Sequence, residues 1–402
     1  MSSICVVGLG YIGLPLAIAA QTVGHNVVGL DIDIQKVKGL NEGRSHIEDI
    51  SEREVAEALI RGFKPSQDFS LIGQAEIVIL CVPTPLSEDL KPDLSFLIEA
   101  MTEVAHHAKP RTLIINESTS APGTVRTFLP GIASKVDSSK ELLFAVAPER
   151  IDPNNKIWNF RNTPRLLGAV TQEALNRSKT FYESFCSEVL LVSSPEIAEL
   201  AKLLENSYRL VNIALVNEIA KLTSKIEVPL SEVITAASSK PYGFQAFYPG
   251  LGAGGHCIPV DPLYLANWAS DHKSPISIIE LASGINRGMV DFVADKLRPL
   301  KSKFDSKILV LGITYKSGVA DIRESPAIRL IDKLESEGWK VDWWDPLVTN
   351  LSDKKGVYSQ NYDCIVISNS VSNEWALKQI QNAKYVFDCT GQLSDFSHVY
   401  GW

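Results

Sequence analysis

Six residues near the start of the chain constrain its fold more than any others. Gly8-Leu9-Gly10-Tyr11-Ile12-Gly13 follows the apolar run Ile4–Val7 and opens a helical pattern from Ile12 to Val23. Gly24-His25-Asn26 breaks that pattern, and a second apolar run, Val27–Leu30, ends in Asp31. A GxGxxG between strand and helix, with an acid closing the next strand, is the fingerprint of a dinucleotide-binding βαβ unit. Gly8 makes the tight turn. Gly10 lets a pyrophosphate approach the N–H groups at the helix start, and Gly13 lets helix and strand pack closely. Tyr11 and Ile12 belong to the same cofactor loop. Asp31 accepts from ribose hydroxyls and repels a 2′-phosphate, which favours NAD over NADP. Lys36 reads either as a neighbour of that ribose or as a solvated helix charge. Val82-Pro83-Thr84-Pro85 ends a strand at the carboxyl edge of the sheet, as a cofactor contact or as a rigid turn.

Strand-like runs recur at Ile77–Val82, Leu113–Ile115, Phe144–Val146, Leu166–Leu167 and Val189–Val192, with helical patterns such as Leu94–His107 and Glu173–Phe185 between them. That alternation predicts a parallel sheet with right-handed crossovers. Beyond Ser193-Ser194-Pro195 the pattern becomes one long helix to about Lys225, without internal Pro or Gly. A glycine-rich loop, Pro249–Gly255, and further helix to about Leu297 follow. Then strand Lys307–Leu311, Gly312, helix Pro326–Glu337, Gly338 and strand Lys340–Trp344 with Asp345 repeat the grammar of the first unit. The 402 residues suit two to three domains at about 150 residues each. The expected fold class is α/β: two doubly wound Rossmann-like domains (1–193 and 301–402) joined by a central helical domain (194–300).

Hydrophobic residues are 45% and charged residues 21% of the chain, which excludes a disordered or fibrous protein. No apolar run reaches the roughly 18 residues of a membrane span, and no basic signal-peptide region precedes the first strand. A formal net charge of −8 argues against general nucleic-acid binding. Cys5, Cys81, Cys364 and Cys389 lie in apolar runs and read as buried hydrophobes, and no Cys/His cluster has zinc spacing, so no metal is expected. A reducing cytoplasm fits this cysteine usage.

Two stretches carry chemistry. Lys202 and Asn206 are spaced i, i+4 on the long helix and share a face. Together they suit polarising an oxygen, or form an ordinary exposed polar face. In Gly250-Leu251-Gly252-Ala253-Gly254-Gly255-His256-Cys257-Ile258-Pro259-Val260-Asp261 four glycines precede one Cys, and Asp261 follows at i+4. Cys257 reads as a nucleophile for a carbonyl or as a structural Cys in a turn; Asp261 can orient a group or activate water. His256 is adjacent to Cys257, and adjacent side chains diverge, so it is not assigned as the base.

These residues resemble the UDP-glucose/GDP-mannose dehydrogenase family, the nucleotide-sugar 6-dehydrogenases, over essentially the whole chain. The marks are Val7–Pro15, Val82-Pro83-Thr84-Pro85, Glu117-Ser118-Thr119, Pro148-Glu149-Arg150, Lys202–Asn206, Gly254-Gly255-His256-Cys257 with Asp261, and Asp321-Ile322-Arg323-Glu324-Ser325. Pro241-Tyr242-Gly243-Phe244 and Phe247-Tyr248-Pro249-Gly250 look most like the branch acting on UDP-N-acetylhexosamines, UDP-N-acetylglucosamine first. The resemblance implies NAD-dependent four-electron oxidation of the sugar C6 alcohol to a carboxylate, for surface polysaccharide or glycan assembly. It implies a thiohemiacetal and then a thioester on Cys257, with Lys202 and Asn206 stabilising the oxyanion and Asp261 holding water. Thr119 and Glu149 would line the reacting centre. Glu149, Arg150, Lys202, Asn206, Phe247, Tyr248, Gly254 and Lys316 would bind substrate; Pro83, Thr84, Ser118 and Arg323 would serve the cofactor. The long helix, of a kind that often forms dimer interfaces, suggests a homodimer or higher homo-oligomer. UDP-glucose enzymes carry an Arg shortly before the Cys loop, lent to a neighbouring subunit; here the segment reads Ser239-Lys240-Pro241-Tyr242. The competing readings are a β-hydroxyacid dehydrogenase, which needs neither Cys257 nor the segment Lys307–Trp402, a non-catalytic NAD or UDP-sugar sensor, and a redox-neutral epimerase.

Overall fold

The computed structural model describes residues 1–402 except 153, 352–353, 358–360, 371–372, 392 and 394–397. The chain forms two compact units, Met1–Glu205 with Asn267–Lys273, and Asn206–Ala266 with Ser274–Trp402.

The first unit is built on β1 (Ser3–Val7), β2 (Asn26–Leu30), β3 (Lys64–Ser66), β4 (Ile77–Leu80), β5 (Leu113–Asn116), β6 (Leu143–Val146), β7 (Arg165–Ala169) and β8 (Val189–Leu191), in the order β3-β2-β1-β4-β5-β6-β7-β8. The central strands are apolar on both faces because helices cover both, as in a doubly wound sheet. Helix Gly13–Thr22 and helix Gln172–Glu183 contribute to one apolar layer, and helix Ser95–His107 to the other. The expectation of an all-parallel sheet needs correction at one pair: β6 and β7 run antiparallel, Ala145 opposite Ala169. The strand β3 was also unforeseen; Lys64-Pro65-Ser66 is too short and polar to carry a strand pattern, and its Pro sits at a sheet edge, where a missing N–H is tolerated.

The second unit contains β9 (Lys307–Leu311), β10 (Lys340–Trp344), the hairpin β11 (Asn350–Leu351) with β12 (Lys354–Lys355), and β13 (Cys364–Ile367), β14 (Tyr385–Asp388) and β15 (Val399–Tyr400). Its main sheet is parallel throughout, in the order β10-β9-β13-β14-β15. The long helix runs Pro195–Ile226, 32 residues, as its unbroken helix-forming sequence requires. Among the described residues, no helix is long and apolar enough to cross a membrane.

The two sheets use the same turn. Gly8, at φ 93°, donates its N–H to Leu30 O at 2.7 Å, and Leu9 N donates to Asp31 Oδ2 at 2.9 Å. Gly312, at φ 82°, donates to Trp344 O at 2.8 Å, and Ile313 N donates to Asp345 Oδ2 at 2.8 Å. An acid closing the second strand thus anchors the loop that leaves the first.

Candidate active site

Gly8, Gly10, Asp31, Lys36 and Pro83 line a cavity of about 860 Å³ at the carboxyl ends of β1 and β4. The strand order reverses there, which is where doubly wound sheets bind ligands. A Cβ on Gly8 would stand 2.4 Å from Cys81 O, and one on Gly13 only 1.8 Å from Gly8 O, so both must be glycine for the loop to close. A Cβ on Gly10 would instead meet nothing within 4 Å; that open space beside helix N–H groups suits a pyrophosphate. The loop and acid fit NAD. Asp31 is 7% exposed and holds the N–H groups of Leu9 and Asp33, each at 2.9 Å. A carboxylate has acceptor capacity beyond those two bonds. Lys36 Nζ lies 3.8 Å from Asp31 Oδ2 and lines the cavity. Asp31→Asn is expected to raise KM for NAD about 10–100-fold, the value of charged hydrogen bonds, and to relax discrimination against NADP. Steady-state titration of both cofactors checks this.

The other expected cofactor residues stand differently. Tyr11 lines a separate cavity of about 380 Å³, and its hydroxyl donates to Glu48 at 3.1 Å. Ile12 precedes helix Gly13–Thr22 and packs on the core. Thr84 is buried. The Ser118 hydroxyl accepts from Val82 N and donates to Val82 O, both at 2.9 Å, so it joins the ends of β4 and β5. Arg323 belongs to the second unit.

Thr119, Glu149 and Lys202 are 6%, 5% and 5% exposed in the first unit, so Lys202 is not on a solvated face. Glu149 accepts from Ile151 N. Arg150 forks onto Glu205 at 2.7 and 3.0 Å and donates to Pro164 O at 3.1 Å. Beneath them lies a cluster that sequence reasoning missed. Glu117 is fully buried, 3.2 Å from Arg165 Nη1 and accepting from the Tyr182 hydroxyl at 2.5 Å. The Arg165 guanidinium also lies over the Phe160 ring, 4.6 Å from its centroid. Burial pushes the Glu117 carboxyl up, and the charges of Arg165 and Lys202 pull it back toward ionisation. Glu149 N donates to Glu117 O at 3.4 Å.

In the second unit Cys257 is the first residue of helix Cys257–Asp271, and it is exposed, whereas the other five cysteines are buried. Helix was expected after the glycine-rich loop Pro249–Gly255, and it begins at the Cys itself. That end of a helix favours a thiolate, and so does the Arg323 guanidinium, whose charge interacts with the Cys257 sulfur. Arg323 is held bidentately by Asp321, with contacts of 2.6 and 3.0 Å, and its carbonyl accepts from Gly255 N at 3.2 Å. Asp261 is fully buried and accepts from Asn206 Nδ2 at 2.7 Å. Asn206 is therefore bonded to the first turn of the helix that Cys257 opens. Gly255 has φ 79°, and a Cβ there would stand 2.7 Å from the Tyr315 ring; one on Gly254 would stand 2.8 Å from Pro326. The two glycines let the segment before Cys257 lie against the segment 315–326.

A cavity of about 280 Å³ adjoins that segment, lined by Gly250, Gly252, Thr314, Ser368, Asn369 and Ser370 among others. Pro326, the first residue of helix Pro326–Ser336, also lines it. Backbone N–H groups and neutral hydroxyls at a helix start suit a phosphate-sized anion. Ser368-Asn369-Ser370 was not foreseen; the available signal was a polar triplet directly after the apolar run Cys364–Ile367. Phe247 meets Tyr208 edge-on at 5.9 Å, Tyr248 is exposed, and Lys316 is half-buried.

Three family models match in order along the chain: the NAD binding domain of the UDP-glucose/GDP-mannose dehydrogenase family at residues 2–186, its central domain at 196–288 and its UDP binding domain at 309–395. A UDP-N-acetyl-D-mannosamine dehydrogenase of Pyrococcus horikoshii is 36% identical over 378 residues, 91% of this chain and 88% of that protein. A solved structure of the UDP-D-ManNAc dehydrogenase from Pyrococcus horikoshii superposes with a TM-score of 0.89 at 34% identity, covering 99% of this chain and 98% of that one. The native structure of the UDP-N-acetyl-mannosamine dehydrogenase Cap5O from Staphylococcus aureus superposes at 0.86 with 30% identity, covering 100% and 98%.

Proposed function

The chain belongs to the UDP-glucose/GDP-mannose dehydrogenase family and is an NAD-dependent oxidoreductase; on that premise we propose that it oxidises the C6 alcohol of UDP-N-acetylmannosamine to the carboxylate, a four-electron change. The carrying observation is Cys257, exposed at a helix start beside Arg323. Oxidation of an alcohol to an aldehyde needs no thiol; oxidation of an aldehyde to an acid proceeds well through a thioester.

When bound, NAD supplies the hydride acceptor for both oxidations. Thr119, Glu149, Lys202, Asn206, Cys257 and Asp261 are assigned to the reaction in this reading. Lys202 offers positive charge, and Asn206 its second amide hydrogen, to the oxygen on C6 as that oxygen becomes anionic. The Cys257 sulfur then adds to the C6 aldehyde: a C–S bond forms and the carbonyl electrons move to oxygen. Loss of hydride from C6 restores the carbonyl and leaves a thioester. Water, held by Asp261 with Glu149 taking a proton, adds to that carbonyl; the C–S bond breaks, the thiolate leaves and the carboxylate is formed. Arg150, Phe247, Tyr248, Gly254 and Lys316 are assigned to substrate binding in the same reading. The three-part division at 1–193, 194–300 and 301–402 follows the order of these tasks.

The relatives' names support the manno isomer over UDP-N-acetylglucosamine, the first sequence expectation. The match to a UDP binding domain supports this class over a β-hydroxyacid dehydrogenase. The product then feeds surface polysaccharide assembly. Turnover with UDP-N-acetylmannosamine, its gluco and galacto isomers and UDP-glucose tests the substrate. The highest kcat/KM is expected for the manno isomer, and a higher value for any other overturns that assignment.

We further propose a homodimer. Tyr208, Leu215, Ile219, Leu222 and Ile226 form an exposed apolar stripe on the second unit's part of the long helix, and such a stripe asks for a partner. Sedimentation at micromolar concentration is expected to give a dimer, and Leu215→Glu/Leu222→Glu a monomer; a monomeric parent protein contradicts the proposal.

A further inference from the structure

Glu199 is 2% exposed, and the steps above do not use it. It lies one helical turn before Lys202 on the long helix. Its Oε2 accepts from Gly123 N at 2.7 Å; its Oε1 accepts from Val125 N at 3.0 Å and from the Ser120 hydroxyl at 3.3 Å. Ser120 Oγ in turn accepts from Asn116 Nδ2 at 3.1 Å, and the same amide donates to Ser118 O at 3.0 Å. One carboxylate therefore ties the helix turn before Lys202 to the loop that follows Thr119. Only the ionised form can accept at all three positions without turning a proton toward one of the donors.

We propose that Glu199 is a positioning residue, whose ionised carboxylate holds Lys202 and the Ser118–Thr119 loop in register for turnover. The inference rests on the reading of Lys202 and Thr119 as site residues. Burial pushes the Glu199 carboxyl up to about 7, with the N–H groups of Val125 and Gly123 opposing the rise and the Glu196 charge adding to it. The charged groups facing it are Glu196 on its own helix and Arg126 from the turn Thr124–Phe128, and these two pair with each other. The sign follows directly: as pH falls through this region the carboxyl takes up a proton and one backbone donor loses its acceptor. Activity should fall with it.

The test compares the full-length protein with Glu199→Gln and Glu199→Asp. kcat and KM are measured from pH 5.5 to 9 with NAD and UDP-N-acetylmannosamine. The parent kcat is expected to drop roughly tenfold per pH unit below the carboxyl's midpoint. Glu199→Gln should lose about tenfold or more in kcat at pH 8, lack the acid break and keep both KM values within about twofold. Glu199→Asp should keep the break, and it serves if the Gln variant does not fold. A Glu199→Gln profile with the parent's break overturns the proposal. Hydrogen-exchange protection of the peptide 118–128 separates this from the substrate reading, because it needs no turnover. Protection, corrected for intrinsic rate, should fall below about pH 7 in the parent, the region set by the carboxyl, and be low at every pH in Glu199→Gln. Equal protection in both proteins sinks the positioning role, whereas absent NADH formation with the expected protection sinks only the oxidation reading.

Discussion

Cys257→Ala is expected to abolish carboxylate formation, lowering the rate roughly 10³-fold or more as loss of a covalent nucleophile does, while NAD affinity stays unchanged. The two effects separate because Cys257 is not among the residues lining the cavity of the glycine loop and Asp31. Its exposure means truncation leaves no buried cavity, so stability should change little. Rapid quench with mass analysis of the sugar checks the result. Undiminished carboxylate production by the Ala variant removes the thioester from the mechanism.

Arg165→Met should cost folding about 3–5 kcal/mol, because it leaves the Glu117 carboxylate buried without its paired guanidinium. Arg165 and Glu117 are 4% and 0% exposed, so little water screens the pair. The Tyr182 hydroxyl would remain as a donor to Glu117, but a neutral hydrogen bond does not replace a cation. The diagnostic control is Glu117→Leu/Arg165→Met. Removing both charges should recover part of the loss, since an apolar replacement of a buried pair is often neutral. Urea unfolding followed by tryptophan fluorescence gives the comparison. A double variant less stable than Arg165→Met contradicts the argument.

The first βαβ unit was legible because its signals are local. Gly8, Gly10, Gly13 and Asp31 lie within one strand, one turn and one helix, and steric contact dictates the glycines. The repeat at Gly312 and Asp345 was legible for the same reason. The direction of β7 was not. Arg165-Leu166-Leu167-Gly168-Ala169 is an apolar run in either orientation, and only its pairing with β6 sets the sign. Helix was legible after the glycine loop, but its exact first residue, Cys257, was obscured by Pro259 and Pro262. Pro259 falls among the first four helix positions, whose N–H groups have no intrahelical acceptor, so it costs no hydrogen bond. Pro262 lies inside the helix and reads in isolation as a breaker. The Glu117–Arg165 pair joins residues 48 positions apart, and no local pattern predicts such a meeting. Arg323 was expected, from the resemblance, to serve the cofactor, and no local pattern puts it near Cys257. Its place beside Cys257 depends on the Gly255–Arg323 backbone contact and on the Asp321 fork.

The oxidation chemistry makes a simple numerical demand. UDP-N-acetylmannosamine is supplied in limiting amount with excess NAD, and the NADH formed is divided by the sugar consumed, with the product identified by mass. A ratio of two is expected, with a uronic acid as the sole sugar product. A ratio of one with an aldehyde product would contradict that expectation and leave Cys257 without a covalent role.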